Sequence, residues 1–145
     1  GFPSLSDKDW LYGGDPETIK ASIMNGRNGI MPPHGPVLGE AGVKEVANYV
    51  FALSGKPHDA NLAAAGKPKF DQVCAACHMP AGTGMQALGA PNLTDKVWLY
   101  GSSEATVTET ITKGRTGVMP AWKDFLGDAK VHLLAAYVYG LSEGK

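Results

Sequence analysis

The chain has 145 residues, 43% of them apolar, and a formal net charge of −1. These values describe a folded chain of one ordinary domain or two very small ones. They argue against disorder and against nucleic acid or an anionic membrane surface as the main partner. No run approaches the roughly 20 apolar residues of a transmembrane helix, and no signal peptide is visible. A soluble piece is therefore expected, with any export signal or anchor upstream of Gly1.

Gly1–Asp9 reads as loop. Asp15-Pro16-Glu17 opens a helix: Asp caps it, Pro fits the first turn, and Glu suits the positive end of the dipole. That helix runs to about Met24, and Gly26 ends it. Asn28–Gly39 contains prolines 32, 33 and 36 and is expected to be an extended loop. Val43, Val46, Ala47 and Val50 fall at helical spacing, giving a helix to about Leu53. Ser54–Asp59 is a linker. Asn61–Val73 is mostly helical, with Pro68 marking either a kink or a late start. Met79–Lys96 is loop, Glu104–Lys113 a short helix, and Thr116–Asp124 a loop. Val131, Leu134, Ala135 and Val138 mark a final amphipathic helix. No segment alternates like a strand over useful length, so the predicted class is all-α.

The chain repeats itself. Trp10-Leu11-Tyr12-Gly13 returns as Trp98-Leu99-Tyr100-Gly101, Gly26-Arg27 as Gly114-Arg115, and Gly29-Ile30-Met31-Pro32 as Gly117-Val118-Met119-Pro120. The offset is 88 throughout. Residues 1–57 match 89–145 without a gap at 25 of 57 positions, far above chance, so the two segments are expected to share one structure. The second copy is preceded by a segment, about 60–88, that has no counterpart before the first. The expected organisation is an incomplete first unit at 1–57 and a complete unit at 58–145, with the chain a fragment of a longer protein.

That extra segment carries Cys74-Ala75-Ala76-Cys77-His78. Cys-x-x-Cys-His is the pattern of c-type haem attachment. Each thiol forms a thioether with a haem vinyl group, and the histidine beside them can ligate the iron. A redox Cys-x-x-Cys would need a βαβ context, and a zinc site would need further Cys or His at ligand spacing. The chain has no other cysteine. One covalent haem c is therefore expected here, and a second in the intact protein.

A sixth ligand is needed opposite His78. Met31 and Met119 lie in matched Gly-x-Met-Pro loops, and a thioether is a soft ligand that raises the reduction potential. Met119 is the default for the haem at Cys74 and Cys77, because it shares a repeat unit with His78. Met31 is the alternative, by an exchange between the copies akin to domain swapping. Arg27 and Arg115 precede these methionines by four residues and are candidate partners of haem propionates. Trp10 and Trp98 could donate an indole N–H to a propionate or pack on the ring. A carbonyl near Pro91 could accept from the other nitrogen of His78, with Leu93 packed on the haem face. His34, His58 and His132 are read as non-ligands, His34 as exposed.

Together these motifs resemble class I cytochromes c. Gly66, Phe70 and Tyr137 look like that family's packing of its terminal helices. More narrowly, Trp98–Gly101, Gly114–Trp122 and Ala135–Ser142 resemble the dihaem subunit of cbb3-type cytochrome c oxidases. Two departures stand out: Met79 replaces a glycine frequent after the histidine, and Pro33-His34 replaces Ala-Trp. The resemblance implies electron transfer to a haem–copper oxidase catalytic subunit, with a monohaem cytochrome subunit and a soluble c-type cytochrome donor as partners. It also implies the periplasmic side of a bacterial inner membrane and an anchor upstream of this chain. Catalysis would belong to the complex. A free dihaem carrier, the cytochrome of a periplasmic dehydrogenase, and a catalytic or gas-sensing haem protein are the competing readings; the last needs an open axial site.

Overall fold

Asp15 begins the first element as its residue type predicts. Its carboxylate accepts from the Thr18 amide at 3.0 Å, and α1 runs Pro16–Asn25 until Gly26, at φ 71°, closes it. The computed structural model describes residues 2–143. After α1 come β1 (Arg27–Met31), α2 (Gly35–Leu53), α3 (Ala60–Val73), α4 (Ala75–His78), a single 3₁₀ turn (Gln86–Leu88), α5 (Glu104–Lys113), β2 (Arg115–Met119) and α6 (Lys123–Glu143). The helix-rich expectation holds and is consistent with a cytochrome c fold. Elements recur at the sequence offset: α5 begins 88 residues after α1, β2 after β1, and α6 after α2.

Two stretches differ from expectation. Both methionine loops contain a five-residue strand, and the strands pair antiparallel in the register Arg27↔Met119, Gly29↔Gly117, Met31↔Arg115. The prolines do not forbid this, because Pro32 and Pro120 follow the ladder rather than interrupt it. The helix expected from about Val43 starts at Gly35. Pro36 sits in its first turn, where the missing N–H costs no bond. Gly39, at φ 66°, then breaks the helix, as Gly127 does in α6 at φ 76°. Pro68 lies inside α3, which is helical from Ala60.

The main core joins α2, α3 and α5. Val43, Val46, Ala47, Val50 and Phe51 of α2 are buried with Phe70, Cys74, Val107 and Ile111. Gly66 of α3 lies against the backbone of α2, where a Cβ would fall on the Glu45 carbonyl. Four residues on, Phe70 is fully buried and meets Tyr49 edge-on, with ring centroids 5.2 Å apart at 62°. The partner expected from the resemblance was Tyr137, but Tyr137 is 65% exposed. Its repeat counterpart Tyr49 takes the place, because α2 and α3 are joined by six residues, Ser54–Asp59, and fold back as a helical hairpin. Asn48 ties that turn: its side chain donates to Lys44 O at 2.9 Å and accepts from the Asp59 amide at 2.8 Å. α6 packs instead on α1, burying Val131 and Ala135 on one side and Ile19 on the other. Among the described residues no helix is long and apolar enough to cross a membrane.

Candidate haem attachment site

Cys74 ends α3, and the next turn, α4, carries Cys77 and His78. The amides of Cys77 and His78 both donate to Cys74 O, at 3.1 and 2.9 Å. This one turn brings two thiols and an imidazole to one place. Cys74 is buried in the main core and Cys77 is exposed. Burial, with the neighbouring Cys77 adding to it, pushes the Cys74 thiol up to about 11.

His78 is 8% exposed. Its Nδ1 lies 3.0 Å from Pro91 O. A carbonyl can only accept, so Nδ1 carries the proton and Nε2 keeps its lone pair for a metal. Burial lowers the pKa of His78; the Pro91 bond raises it, and His34 lowers it again. The neutral, ligating form is therefore favoured. The loop that supplies Pro91 is braced by three bonds: Gly84 N to His78 O at 2.9 Å, Leu93 N to Gly82 O at 2.7 Å, and Met85 N to Ala90 O at 2.9 Å. Leu93 packs against the main core. Met79 adopts φ 67°, ψ 154°, a region that glycine favours.

The other candidates sort into two groups. Trp98 joins the main core, its ring 6.4 Å from Phe51. Arg115 Nε donates to Thr110 Oγ1 at 2.9 Å, and its guanidinium stacks 4.5 Å over Tyr100. Arg27 mirrors it, donating to Ser22 Oγ at 2.8 Å and stacking 4.5 Å over Tyr12. In both, the hydrogen bond found among the described residues uses Nε. Trp10 lies against Gly14, and its carbonyl accepts from Gln86 Nε2 at 3.2 Å. Met31 is half-buried at the end of β1, whereas Met119, at the end of β2, is 38% exposed.

Sequence reasoning missed the tyrosines beneath the arginines, although Tyr12 with Arg27 and Tyr100 with Arg115 repeat at the common offset. It also missed His34, which is half-buried and within electrostatic reach of His78. Nothing in the Pro33-His34-Gly35 run signals that.

The donor set fits a c-type haem: paired thiols one turn apart and a histidine whose Nδ1 is bonded to Pro91 O, leaving Nε2 for the iron. Comparison with known proteins agrees. The model of a family described as cytochrome c oxidase, cbb3-type, subunit III matches residues 61–138. The cbb3-type cytochrome c oxidase subunit CcoP of Rubrivivax gelatinosus is 49% identical over 144 residues, which is 99% of this chain and 47% of that protein. Subunit CcoP of Cereibacter sphaeroides is 45% identical over 156 residues, covering all of this chain and 54% of that protein. Subunit FixP of a Bradyrhizobium strain, ORS 278, is 47% identical with the same coverage. The chain thus spans about half the length of the curated relatives it matches, and it belongs to the cbb3-type cytochrome c oxidase subunit III family.

Proposed function

We propose that this chain is an electron-transfer segment of a cbb3-type cytochrome c oxidase. It holds one haem c by thioethers to Cys74 and Cys77, with His78 on the iron. The observation that carries the reading is the single turn Cys74–His78, whose imidazole has Nδ1 committed to the Pro91 carbonyl and Nε2 left free. A haem ligated on both faces supplies outer-sphere one-electron transfer rather than substrate chemistry.

The protein's own groups then do four things. Phe70 and α2 keep water from the Cys74 side. The loop through Pro91 fixes the imidazole plane. Leu93 packs against the haem face. Arg115, braced on Thr110 and Tyr100, offers charge to a propionate, with Trp98 beside it. Arg27 and Trp10 are the matching set for a second haem. The repeat copies are read as tandem cytochrome c units, an incomplete one at 1–57 and a complete one at 58–145. The implied partners are a haem–copper oxidase catalytic subunit, a monohaem cytochrome subunit and a soluble c-type cytochrome donor. The place is the periplasmic side of a bacterial inner membrane, with the anchor upstream.

The experiment is expression with haem-attachment machinery, followed by mass spectrometry of the denatured chain. One haem adduct is expected, lost in the double variant Cys74→Ala/Cys77→Ala. A chain carrying two free thiols and no adduct overturns the reading. Carbon monoxide added to the reduced chain should leave its spectrum unchanged; a shift would mark an open axial position and a gas-binding or catalytic haem instead.

A further inference from the structure

We infer that Lys56 is a positioning residue for the haem at Cys74 and Cys77: its ammonium clamps the Trp98 ring and sets a fixed positive charge beside it, which favours the reduced iron. This rests on the haem reading above and adds a residue that tunes the potential of that haem.

Lys56 lies in the link between α2 and α3, and its backbone is held from both sides. Its amide donates to Phe51 O at 2.9 Å, and its carbonyl lies 2.8 Å from His58 Nδ1. From there the side chain crosses to the segment before α5, where Nζ donates to Ser102 Oγ at 2.8 Å. Nζ also stands 5.8 Å from the ring centroid of Phe51 and 5.8 Å from that of Trp98. Those rings are 6.4 Å apart and tilted 48°. The ammonium thus sits by two aromatic faces, whose negative quadrupoles attract it. Phe51 belongs to the core that buries Cys74, and Trp98 and Leu93 pack against that core. The charge of the lysine is therefore applied at the edge of the same cluster that holds the attachment turn.

No ion pair cancels that charge. Lys56 is half-buried, and among the described residues no carboxylate pairs with it. Asp59 and Glu104 line the same opening, but each serves a helix start. Asp59 accepts from the Asn61 and Leu62 amides at 2.9 and 3.0 Å, and Glu104 sits in the first turn of α5. A half-buried charge beside two rings is screened less than an exposed one. Reduction adds an electron to the haem, so a fixed positive charge nearby stabilises the reduced form by Coulomb attraction. The repeat gives an independent argument. At the common offset Lys56 corresponds to Gly144 and Ser102 to Gly14. The Trp10 ring lies against Gly14, where the side chain of a serine would start. The tryptophans repeat in the sequence; the lysine–serine pair does not.

The test is potentiometric titration of the haem-loaded chain of 145 residues, with haem stoichiometry by mass spectrometry and folding by circular dichroism for each variant. Lys56→Met keeps the aliphatic stem and drops the charge, and should lower the reduction potential. Lys56→Glu should lower it further, and Lys56→Arg should stay nearest the wild-type value. No shift in Lys56→Met and Lys56→Glu overturns the inference. An equal fall in all three also overturns it, because loosened packing rather than lost charge would then be the cause. Ser102→Ala cuts the tether and keeps the charge, and should give part of the Lys56→Met fall. The double variant should fall no further than Lys56→Met alone; a fall equal to the sum of the two singles overturns the positioning role. A chain with no haem adduct overturns the haem reading itself, whereas a chain with its adduct and an unmoved potential overturns only this inference.

Discussion

The contact between Tyr49 and Phe70 offers a direct measure of how the helices are partnered. If α3 packs on α2, Phe70 couples to Tyr49; if it packed on the helix of its own repeat, Phe70 would couple to Tyr137. The rings of Tyr49 and Phe70 are 5.2 Å apart at 62°, an edge-to-face geometry worth about 0.5–1.5 kcal/mol beyond burial. Phe70 is fully buried, whereas Tyr137 is 65% exposed. Two double-mutant cycles compare the pairs: Tyr49→Leu with Phe70→Leu, and Tyr137→Leu with Phe70→Leu. Guanidinium denaturation of the haem-loaded chain, followed by circular dichroism, gives each free energy. The first cycle should show coupling of about 1 kcal/mol. The second should be additive within about 0.3–0.5 kcal/mol, as for residues that share no contact. Coupling in the Tyr137 cycle and additivity in the Tyr49 cycle would refute the observed partnering.

Three further outcomes follow from single residues. Met79→Gly should stabilise the chain by about 1 kcal/mol in the same denaturation assay. It relieves roughly 1–3 kcal/mol of strain at φ 67° against about 0.5–1 kcal/mol of added chain entropy; a loss of stability would count against the Met79 backbone geometry. Asn48→Ala should cost about 1–3 kcal/mol, because it strips the buried bond from the Asp59 amide at 2.8 Å; a neutral result would mean that the α2–α3 turn holds without it. The Asp15 carboxyl is held below its ordinary 3.8 by hydrogen bonding from the Thr18 side chain and amide. Its capping contribution is thus present above 3.8 and lost as the pH falls through the lower, folded value. Acid titration by circular dichroism should show α1 weakening there, and Asp15→Asn should flatten that step.

What was legible in the sequence was what local chemistry determines. Asp15, Pro16 and Gly26 bound α1 because capping acts within one turn, and the Cys74–His78 motif declares its chemistry through spacing alone. The strands were not legible for the opposite reason. Arg27–Met31 is five residues long with Gly29 at its centre, and its partner lies 88 residues away. Neither strand buries alternate residues on a core face deeply enough to leave a period-two signal; in β2 only Arg115 is even half-buried. The start of α2 was hidden by Pro36, which reads as a breaker in mid-segment and as a good first-turn residue once the helix begins at Gly35.

The partnering of the helices was harder still, because two copies of one sequence present nearly the same surface to α3. Identity between the copies says that they fold alike and cannot say which one a third helix meets. The information sits in the positions where the copies differ. Asn48, which bonds the Asp59 amide across the short turn, has Ala136 as its counterpart, with nothing to donate or accept. Glu45, paired with Lys69 of α3 at 2.5 Å, is matched by Leu133, which is 69% exposed. A polar residue in α2 with a partner on α3 or in the link before it, where α6 has an apolar residue at the same register, marks which copy is fitted to this haem-bearing helix. The apolar residues left on α6, Leu133 and Tyr137 among them, are exposed. They are the mirror of the surface by which α2 holds α3, and the same ladder that pairs Met31 with Arg115 sets Met119 beside Arg27, with α6 packed on α1.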